Sequence, residues 1–307
     1  MSDIHNEVSI DNNRVIMFAG KGGVGKTTCA AATALQYASL NEHTLAISTD
    51  PTPSLGHIFE TDCYQKPVKI LESLYLEEIG LDRVKEMWDG KFGREVFEVF
   101  SSFVAIEYNQ FVDFVSSVLP GLRDEFMVDY IREMTVHDDY HNIIWDTAPL
   151  GQTLGLLMTP AMLRDHLKTA PRIYSKLKLG RESKKPVLDV IKGWEELSAK
   201  DMDFLRNEVS FVIVTIPEAL AVNQLDSIFE EFDNHGLKIG RLVVNNVIEE
   251  TSSDFLINKA DQQRKYIDIL HQKCSNIEMV ELPMFPHEIM GIEKLKSIQA
   301  RLFIKSD

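Results

Sequence analysis

Residues 14–40 read RVIMFAGKGGVGKTTCAAATALQYASL, and the rest of the chain is organised around this stretch. The apolar run from Val15 to Phe18 predicts a buried strand, the glycine-rich residues after it predict a tight loop, and the alanine-rich remainder predicts a helix. A helix that begins directly after such a loop presents free backbone N–H groups and the positive end of its dipole. The stretch therefore predicts a site that binds phosphate groups.

The loop fits the pattern G-x-x-x-x-G-K-[ST], in which glycines allow backbone N–H groups to close on phosphate oxygens. We expect the Lys26 ammonium to reach the β- and γ-phosphates of a nucleotide and the Thr27 hydroxyl to bind Mg²⁺. A glycine-rich turn without a ligand is the alternative. The candidate nucleotide contacts are Gly20, Lys21, Gly22, Gly23, Val24, Gly25, Lys26, Thr27 and Thr28.

The composition narrows the class of protein. With 307 residues and 44% hydrophobic content, the chain is long enough for one large α/β domain with a sizeable insertion. Its net charge of −15 argues against a protein that coats nucleic acid, because that function needs clustered Lys and Arg. Since the sequence shows neither an apolar signal segment nor a run of ~20 apolar residues, we expect a cytoplasmic protein.

The order of predicted strands and helices indicates an α/β fold with a doubly wound, mostly parallel sheet and an inserted α-helical subdomain. Strand patterns dominate the two ends of the chain, whereas helical periodicity dominates two internal segments. The predicted nucleotide-binding domain therefore comprises residues 1–70, 136–157 and 208–307. The predicted helical subdomain comprises residues 71–135 and 158–207.

Two aspartates stand where predicted strands end. Asp50 follows the apolar run 44–48, and Asp146 ends the apolar run 142–146. Because open α/β sheets bind ligands at the carboxyl ends of their strands, both carboxylates should face the phosphates. In P-loop proteins an aspartate in the position of Asp146 holds Mg²⁺, often through water. The alternative is a helix or turn cap for Asp50 and a simple turn at the strand end for Asp146.

Several motifs together resemble one family. Lys21 directly after the first glycine gives the loop GKGGVGKTT, and STDP at 48–51 and DTAPLGQTL at 146–154 are similar to two switch segments. TIPEAL at 215–220 matches a further segment. In these features the chain resembles the arsenite-pump and tail-anchored-protein-targeting ATPases, most closely the archaeal type that lacks the C-x-x-C zinc motif. Matches run from Gly20 to Leu295.

The resemblance implies a Mg²⁺-dependent ATPase that works as a nucleotide-switched homodimer. Asp50 would orient the attacking water, and Lys21 would reach across the dimer to the nucleotide of the other subunit. Together with Lys26, these residues form the expected catalytic set. The resemblance also implies that the Asn245 amide reads the adenine, which would be flanked by Pro283, Met284 and Phe285.

The predicted insertion is rich in phenylalanine at helical spacing. Seven of the 16 phenylalanines lie between Phe92 and Phe126. Such a face either packs a subdomain core or leaves a surface that accepts a transmembrane helix, and both interpretations remain open. The resemblance implies client membrane proteins with one C-terminal transmembrane helix, delivered to a membrane receptor. The candidate groove residues are Phe97, Phe100, Phe103, Phe111, Phe114 and Met127.

The sequence also departs from the family pattern. Ser253-Asp254-Phe255-Leu256 stands where many relatives carry C-x-F-C, so we predict no structural zinc. Two other functions stay open. An arsenite or antimonite pump ATPase would need thiolates close together, whereas Cys29, Cys63 and Cys274 are far apart in sequence. A septum-site or partition-type positioning ATPase would not need the phenylalanine-rich insertion.

Overall fold

The computed structural model describes residues 14–50, 54–63, 66–101, 106–112, 120–137, 139–147, 165 and 187–303. The chain divides into two compact units. The first comprises Met1–Ile79, Tyr140–Gly151 and Glu208–Asp307, and the second comprises Gly80–Asp139 and Gln152–Asn207. The second unit is therefore assembled from two segments that interrupt the first.

Strands belong to the first unit, and helices to both. The strands are β1 (Val15–Gly20), β2 (Thr44–Ser48), β3 (Val68–Leu71), β4 (Leu74–Glu78), β5 (Asn142–Asp146), β6 (Val209–Thr215), β7 (Ile239–Val247) and β8 (Glu278–Pro283). The helices are α1 (Lys26–Ser39), α2 (Leu55–Ile58), α3 (Leu81–Trp88), α4 (Arg94–Ser101), α5 (Pro120–His137), α6 (Val187–Asn207), α7 (Ala219–His235), α8 (Asp254–Lys273) and α9 (Ile292–Leu302). A π-helical turn, Asp89–Gly93, joins α3 to α4, and residues 108–112 are also helical.

The eight strands form one sheet in the order β3-β4-β2-β5-β1-β6-β7-β8. Neighbouring strands are parallel, except that β3 runs antiparallel to β4. Strand β1 lies in the middle, where Val15 pairs with Ile143 on one side and Val209 on the other. Every residue of β1 is buried, as expected of a strand covered on both faces. The predicted mostly parallel, doubly wound α/β fold is confirmed.

The parallel arrangement places several strand ends at one edge of the sheet. Gly20 ends β1, Ser48 ends β2, Asp146 ends β5 and Thr215 ends β6. Ser48 pairs with Asp146 in the sheet register, so the two residues are direct neighbours. Loops that follow parallel strands meet at this edge, which is where such sheets bind ligands.

Helix α1 packs in the hydrophobic core of the first unit, together with α9. Ala30 and Ala34 of α1 are fully buried. Leu295 and Ile298 of α9 are buried in the same core. Small alanine side chains allow a helix to approach its neighbours closely, which explains why the segment after the loop is alanine-rich. The position of α1 is thereby fixed along its length.

The structure corrects the predicted start of the helical insertion. Residue 71 was the expected boundary, but Leu74–Glu78 forms β4, which pairs in parallel with β2, and the second unit begins at Gly80. The strand ends in two glutamates, Glu77 and Glu78, that are 2% and 7% exposed. Because buried glutamates are uncommon, the hydrophobicity pattern of the sequence does not predict a buried strand here.

The second unit is helical in its described part, and buried ion pairs connect its helices. The Arg132 Nε of α5 donates to Asp201 of α6 over 2.7 Å. Asp129, which is fully buried, accepts hydrogen bonds from both Arg132 and Lys91. Among the described residues of the whole chain, no helix is long and apolar enough to cross a membrane.

Two of the six candidate groove residues are core residues. Phe111 has no exposed surface and Met127 is 3% exposed, so the expectation that they line an open groove is corrected. Phe97 is half-buried, and its ring centroid lies 5.4 Å from that of Phe111 and 5.0 Å from that of Tyr108. The Phe100 side chain and residues 103 and 114 lie outside the described part.

We predict that Phe111→Ala lowers the free energy of unfolding by about 3–5 kcal/mol, because it removes a buried ring and leaves a cavity. Phe255→Ala is the matched control, since Phe255 is 72% exposed and its loss should change stability by at most about 0.5 kcal/mol. Urea denaturation followed by circular dichroism measures both. Equal midpoints for the two variants would contradict a core position for Phe111.

Candidate nucleotide-binding site

The glycine-rich loop joins β1 to α1 through backbone conformations that favour glycine. Gly25 caps α1 in the left-handed region, with φ of 97°, and a Cβ atom there would lie 2.4 Å from the Asn245 Nδ2. Both constraints exclude a larger residue. The helix therefore starts directly at Lys26, and its first N–H groups face the loop. This is the strand, loop and helix that the sequence predicted.

Lys26 is buried within the site. It is 6% exposed, and its Nζ donates to the backbone carbonyl of Lys21 over 3.2 Å. Burial lowers the pKa of Lys26, while the nearby Asp146 and Asp50 carboxylates act in the opposite direction. The ammonium is thus a desolvated positive charge held beside the loop, which suits it to bind a phosphate oxygen.

Asp146 connects the end of β5 to the first turn of α1. The Thr27 hydroxyl donates to Asp146 Oδ2 over 2.8 Å, and the Ser48 hydroxyl donates to the same oxygen over 3.3 Å. Asp146 is 1% exposed, and burial raises its pKa to about 7. The geometry brings together the two residues that the sequence assigned to Mg²⁺.

The second oxygen of this carboxylate provides a test of whether a metal ion fits. Asp146 Oδ1 is buried and has no hydrogen-bond partner among the described residues. A buried carboxylate oxygen left unsatisfied is costly unless a cation or water meets it. Oxygen atoms from a hydroxyl and a carboxylate are the ligands that Mg²⁺ prefers. The donor set at Thr27 and Asp146 therefore fits Mg²⁺, directly or through water.

Asp50 lies near these residues at the end of β2. It is half-buried, and its backbone N–H donates to the Ser48 hydroxyl over 3.4 Å. Its charge raises the pKa of both Lys26 and Asp146, although burial is the larger influence on each. The preceding residue, Thr49, donates its N–H to the Asp146 carbonyl over 3.1 Å. The Asp50 carboxylate is thus within electrostatic reach of the candidate phosphate site.

Two polar residues at this edge were missed by the sequence analysis. Ser48 hydrogen-bonds the Asp146 carboxylate, and Glu78 accepts hydrogen bonds from the backbone at the start of α2. Both are the last residues of strands, as Asp146 is. A search for polar residues at every strand end would have found Ser48. It would not have found Glu78, because its strand was not recognised.

Asn245 lies against the loop. Its side-chain Nδ2 donates to the Val24 carbonyl over 2.8 Å, so the amide nitrogen expected to read an adenine instead holds the loop backbone in this structure. Met284, at the end of β8, is 51% exposed and donates its N–H to the Val247 carbonyl. The Lys21 side chain is exposed. The roles of these residues and of Pro283 and Phe285 toward a nucleotide stay predictions.

The three cysteines are all buried. Cys29, Cys63 and Cys274 are free and buried. In the described part of the chain, no three His, Cys, Asp or Glu side chains are grouped so as to hold a metal ion. Burial raises the pKa of both Cys29 and Cys63 to about 12, and nearby carboxylates act in the same direction.

Comparison with known proteins identifies the family. A model of the family described as anion-transporting ATPase matches residues 13–304. A protein of Aquifex aeolicus, provisionally named an arsenical pump-driving ATPase, is 30% identical over 92% of this chain and 97% of its own length. ATPase GET3C of Arabidopsis thaliana is 27% identical over 96% of this chain and 83% of its own. An ATPase ASNA1 homolog of Dictyostelium discoideum is 22% identical over 98% of this chain and 93% of its own length.

The family match and the site agree with each other. The match covers the loop, both strand-end aspartates and the C-terminal strands, and the relatives bear the name ATPase. The loop, Lys26, Thr27 and Asp146 form the arrangement expected of a P-loop enzyme. This chain accordingly belongs to the anion-transporting ATPase family, as the resemblance to arsenite-pump and tail-anchored-protein-targeting ATPases predicted, and it is an ATPase.

Proposed function

We propose that this ATPase is a Mg²⁺-dependent, nucleotide-switched homodimer of the cytoplasm that binds the C-terminal transmembrane helix of client membrane proteins and delivers them to a membrane receptor. The observation that carries the switch is the hydrogen bond of 2.8 Å between Thr27 and Asp146. It joins the nucleotide loop to the start of the segment DTAPLGQTL, so a ligand at Thr27 also acts on that segment.

Lys26, Thr27 and Asp146 form the ground-state binding set in this proposal. The Lys26 ammonium holds phosphate oxygens, while Thr27 and Asp146 hold Mg²⁺, Asp146 through water. The metal ion, when bound, neutralises charge on the β- and γ-phosphates. Since a cation near Asp146 favours its ionised form, the raised pKa of this carboxyl should fall on binding.

Asp50 is proposed to act in turnover. Phosphoryl transfer depends chiefly on positioning and on electrostatic stabilisation, so a carboxylate that orients the attacking water can decide the rate. Asp50 lies two residues after the end of β2, and its backbone N–H donates to the Ser48 hydroxyl, which supports this role. Lys21 is proposed to reach the nucleotide of the other subunit, which its exposed side chain permits.

The client-binding part of the proposal rests on the second unit. Phe111 and Met127 supply its core, and they leave Phe97, Phe100, Phe103 and Phe114 as candidates for the groove. A transmembrane span of ~20 residues is ~30 Å long, which favours a surface formed by two subunits. The GET3 and ASNA1 names among the relatives support this branch of the family.

A pump ATPase for arsenite or antimonite is the second candidate, supported by the name of the Aquifex aeolicus relative. Such oxyanions would be bound by soft thiolates. The pKa of about 12 for Cys29 and for Cys63 disfavours their thiolate forms near neutral pH. Stimulation of ATP hydrolysis by arsenite would favour this candidate.

Co-sedimentation with lipid or DNA would favour a positioning ATPase.

We predict that Asp50→Asn lowers kcat by about 100-fold or more while ATP binding is retained, because the carboxylate acts mainly in the transition state. Steady-state phosphate release and equilibrium nucleotide binding measure the two effects. Asp261→Asn, which changes an exposed aspartate of α8, is the control and should leave kcat unchanged. Hydrolysis by Asp50→Asn at the wild-type rate would refute the assignment.

We predict that Lys21→Ala weakens ATP-dependent dimerisation by about tenfold or more, since it removes a charge-assisted contact between Lys21 and the partner's nucleotide. Analytical ultracentrifugation with a non-hydrolysable ATP analogue and Mg²⁺ measures the association. Lys238→Ala removes another exposed lysine and serves as the control. The proposed role of Lys21 fails if Lys21→Ala associates and hydrolyses ATP normally. Stoichiometric zinc in the purified protein would contradict the prediction that the dimer has no structural zinc.

We predict that the double substitution Phe97→Ser and Phe103→Ser abolishes capture of a ~20-residue apolar helix while basal ATP hydrolysis persists, because the groove loses aromatic surface. Co-purification with a client that carries one C-terminal transmembrane helix is the measurement. Phe255→Ser, in the first unit, is the matched control. Normal capture by a folded double variant would mean that the groove lies elsewhere, and unfolding would assign both phenylalanines to the core.

A further inference from the structure

A buried carboxylate outside the catalytic set, that of Glu78, binds the backbone at the start of α2. Glu78 is the last residue of β4 and is 7% exposed. Its Oε1 accepts hydrogen bonds from the backbone N–H groups of Ser54 at 2.7 Å, Leu55 at 2.7 Å and Gly56 at 3.2 Å. One oxygen atom thus satisfies three successive amides at the start of α2.

The sheet determines where this carboxylate lies. Strand β4 pairs with β2 so that Glu78 is opposite Ser48, and the Ile79 N–H donates to the Ser48 carbonyl over 3.0 Å. The backbone N–H of Glu78 donates to the Cys63 carbonyl over 2.9 Å. Glu78 is therefore held at the edge of the sheet where β2 ends. Asp50 lies at the same edge, two residues after Ser48 in sequence.

A short chain of contacts leads from Glu78 to the candidate metal site. Ser54, whose N–H is bound by Glu78, places its hydroxyl 3.2 Å from the Thr27 hydroxyl. Thr27 in turn donates to Asp146 over 2.8 Å. Ser54, four residues after Asp50 in sequence, thus contacts a candidate Mg²⁺ ligand.

We propose that Glu78 is a positioning residue for ATP hydrolysis, which fixes Ser54 against Thr27 and thereby restrains Asp50, four residues earlier in the sequence. This inference rests on the roles proposed above for Asp50 and Thr27. An ionised carboxylate suits the task because it binds backbone amides more strongly than a neutral acceptor does. Glu78 touches the backbone of α2 and acts on the reaction only through Ser54.

Glu78→Gln tests this role, because glutamine keeps the length of the side chain and removes its charge. The variant should lower kcat by roughly tenfold and raise the Mg²⁺ concentration needed for half-maximal activity, with unchanged binding of ADP in the absence of Mg²⁺. Ser54→Ala should produce the same Mg²⁺ shift. Since both substitutions break one chain of contacts, the double variant should show no further loss.

Glu77→Gln is the matched control. Glu77 is the preceding residue of β4 and is 2% exposed, but its side chain points to the other face of the sheet. Melting temperature and the fraction of protein that binds ADP are measured for every variant. A Mg²⁺ shift confined to Glu78→Gln and Ser54→Ala supports the proposal.

Three results would overturn it. The first is a loss of activity in Glu78→Gln that is no larger than its loss of folded protein. The second is an equal Mg²⁺ shift in Glu77→Gln. The third is an additive loss of activity in the double variant of Glu78→Gln and Ser54→Ala. The Asp50→Asn measurement separates this inference from the proposed function. A normal Glu78→Gln enzyme beside an inactive Asp50→Asn enzyme overturns the positioning role alone, whereas a fully active Asp50→Asn enzyme overturns both.

Discussion

The hydrogen bond between the Thr27 hydroxyl and Asp146 Oδ2 is the interaction on which the nucleotide site depends. It connects the first turn of α1 to the end of β5, although the two residues are 119 positions apart in sequence. Strand β1 lies beside β5, and the glycine-rich loop between β1 and α1 is therefore held at both of its ends. The loop can face phosphates because its flanking elements are core elements.

The same site concentrates charge where water is largely excluded. Lys26 is 6% exposed and Asp146 is 1% exposed. Burial lowers the pKa of Lys26 and raises the pKa of Asp146, and both shifts favour the neutral form of the side chain. Desolvated charges interact strongly with a ligand of opposite charge, but they destabilise the fold without one. Ser48 and Thr27 offset part of that cost through hydrogen bonds to Asp146. The arrangement is suited to a protein whose conformation responds to nucleotide and Mg²⁺.

The second unit combines an apolar core with buried ions. Phe111 and Met127 are buried, and the fully buried Asp129 and Asp201 both contact Arg132. Ion pairs of this kind require a defined geometry, since breaking one leaves an uncompensated buried charge. The contact between Arg132 and Asp201 therefore fixes α5 relative to α6.

The local parts of this protein could be predicted from the sequence alone: β1, the glycine-rich loop, α1, and the two strand-end aspartates. These features are specified by neighbouring residues, as with Gly25, whose left-handed backbone opens the helix at Lys26. Three features became visible only in the folded chain: β4 belongs to the sheet, Phe111 is a core residue, and the Asn245 amide donates to the Val24 carbonyl. Each of these depends on partners far away in the chain, and burial of Glu77 and Glu78 even contradicts the local pattern. Periodicity reports what adjacent residues favour, whereas packing is decided by whichever distant segment covers them.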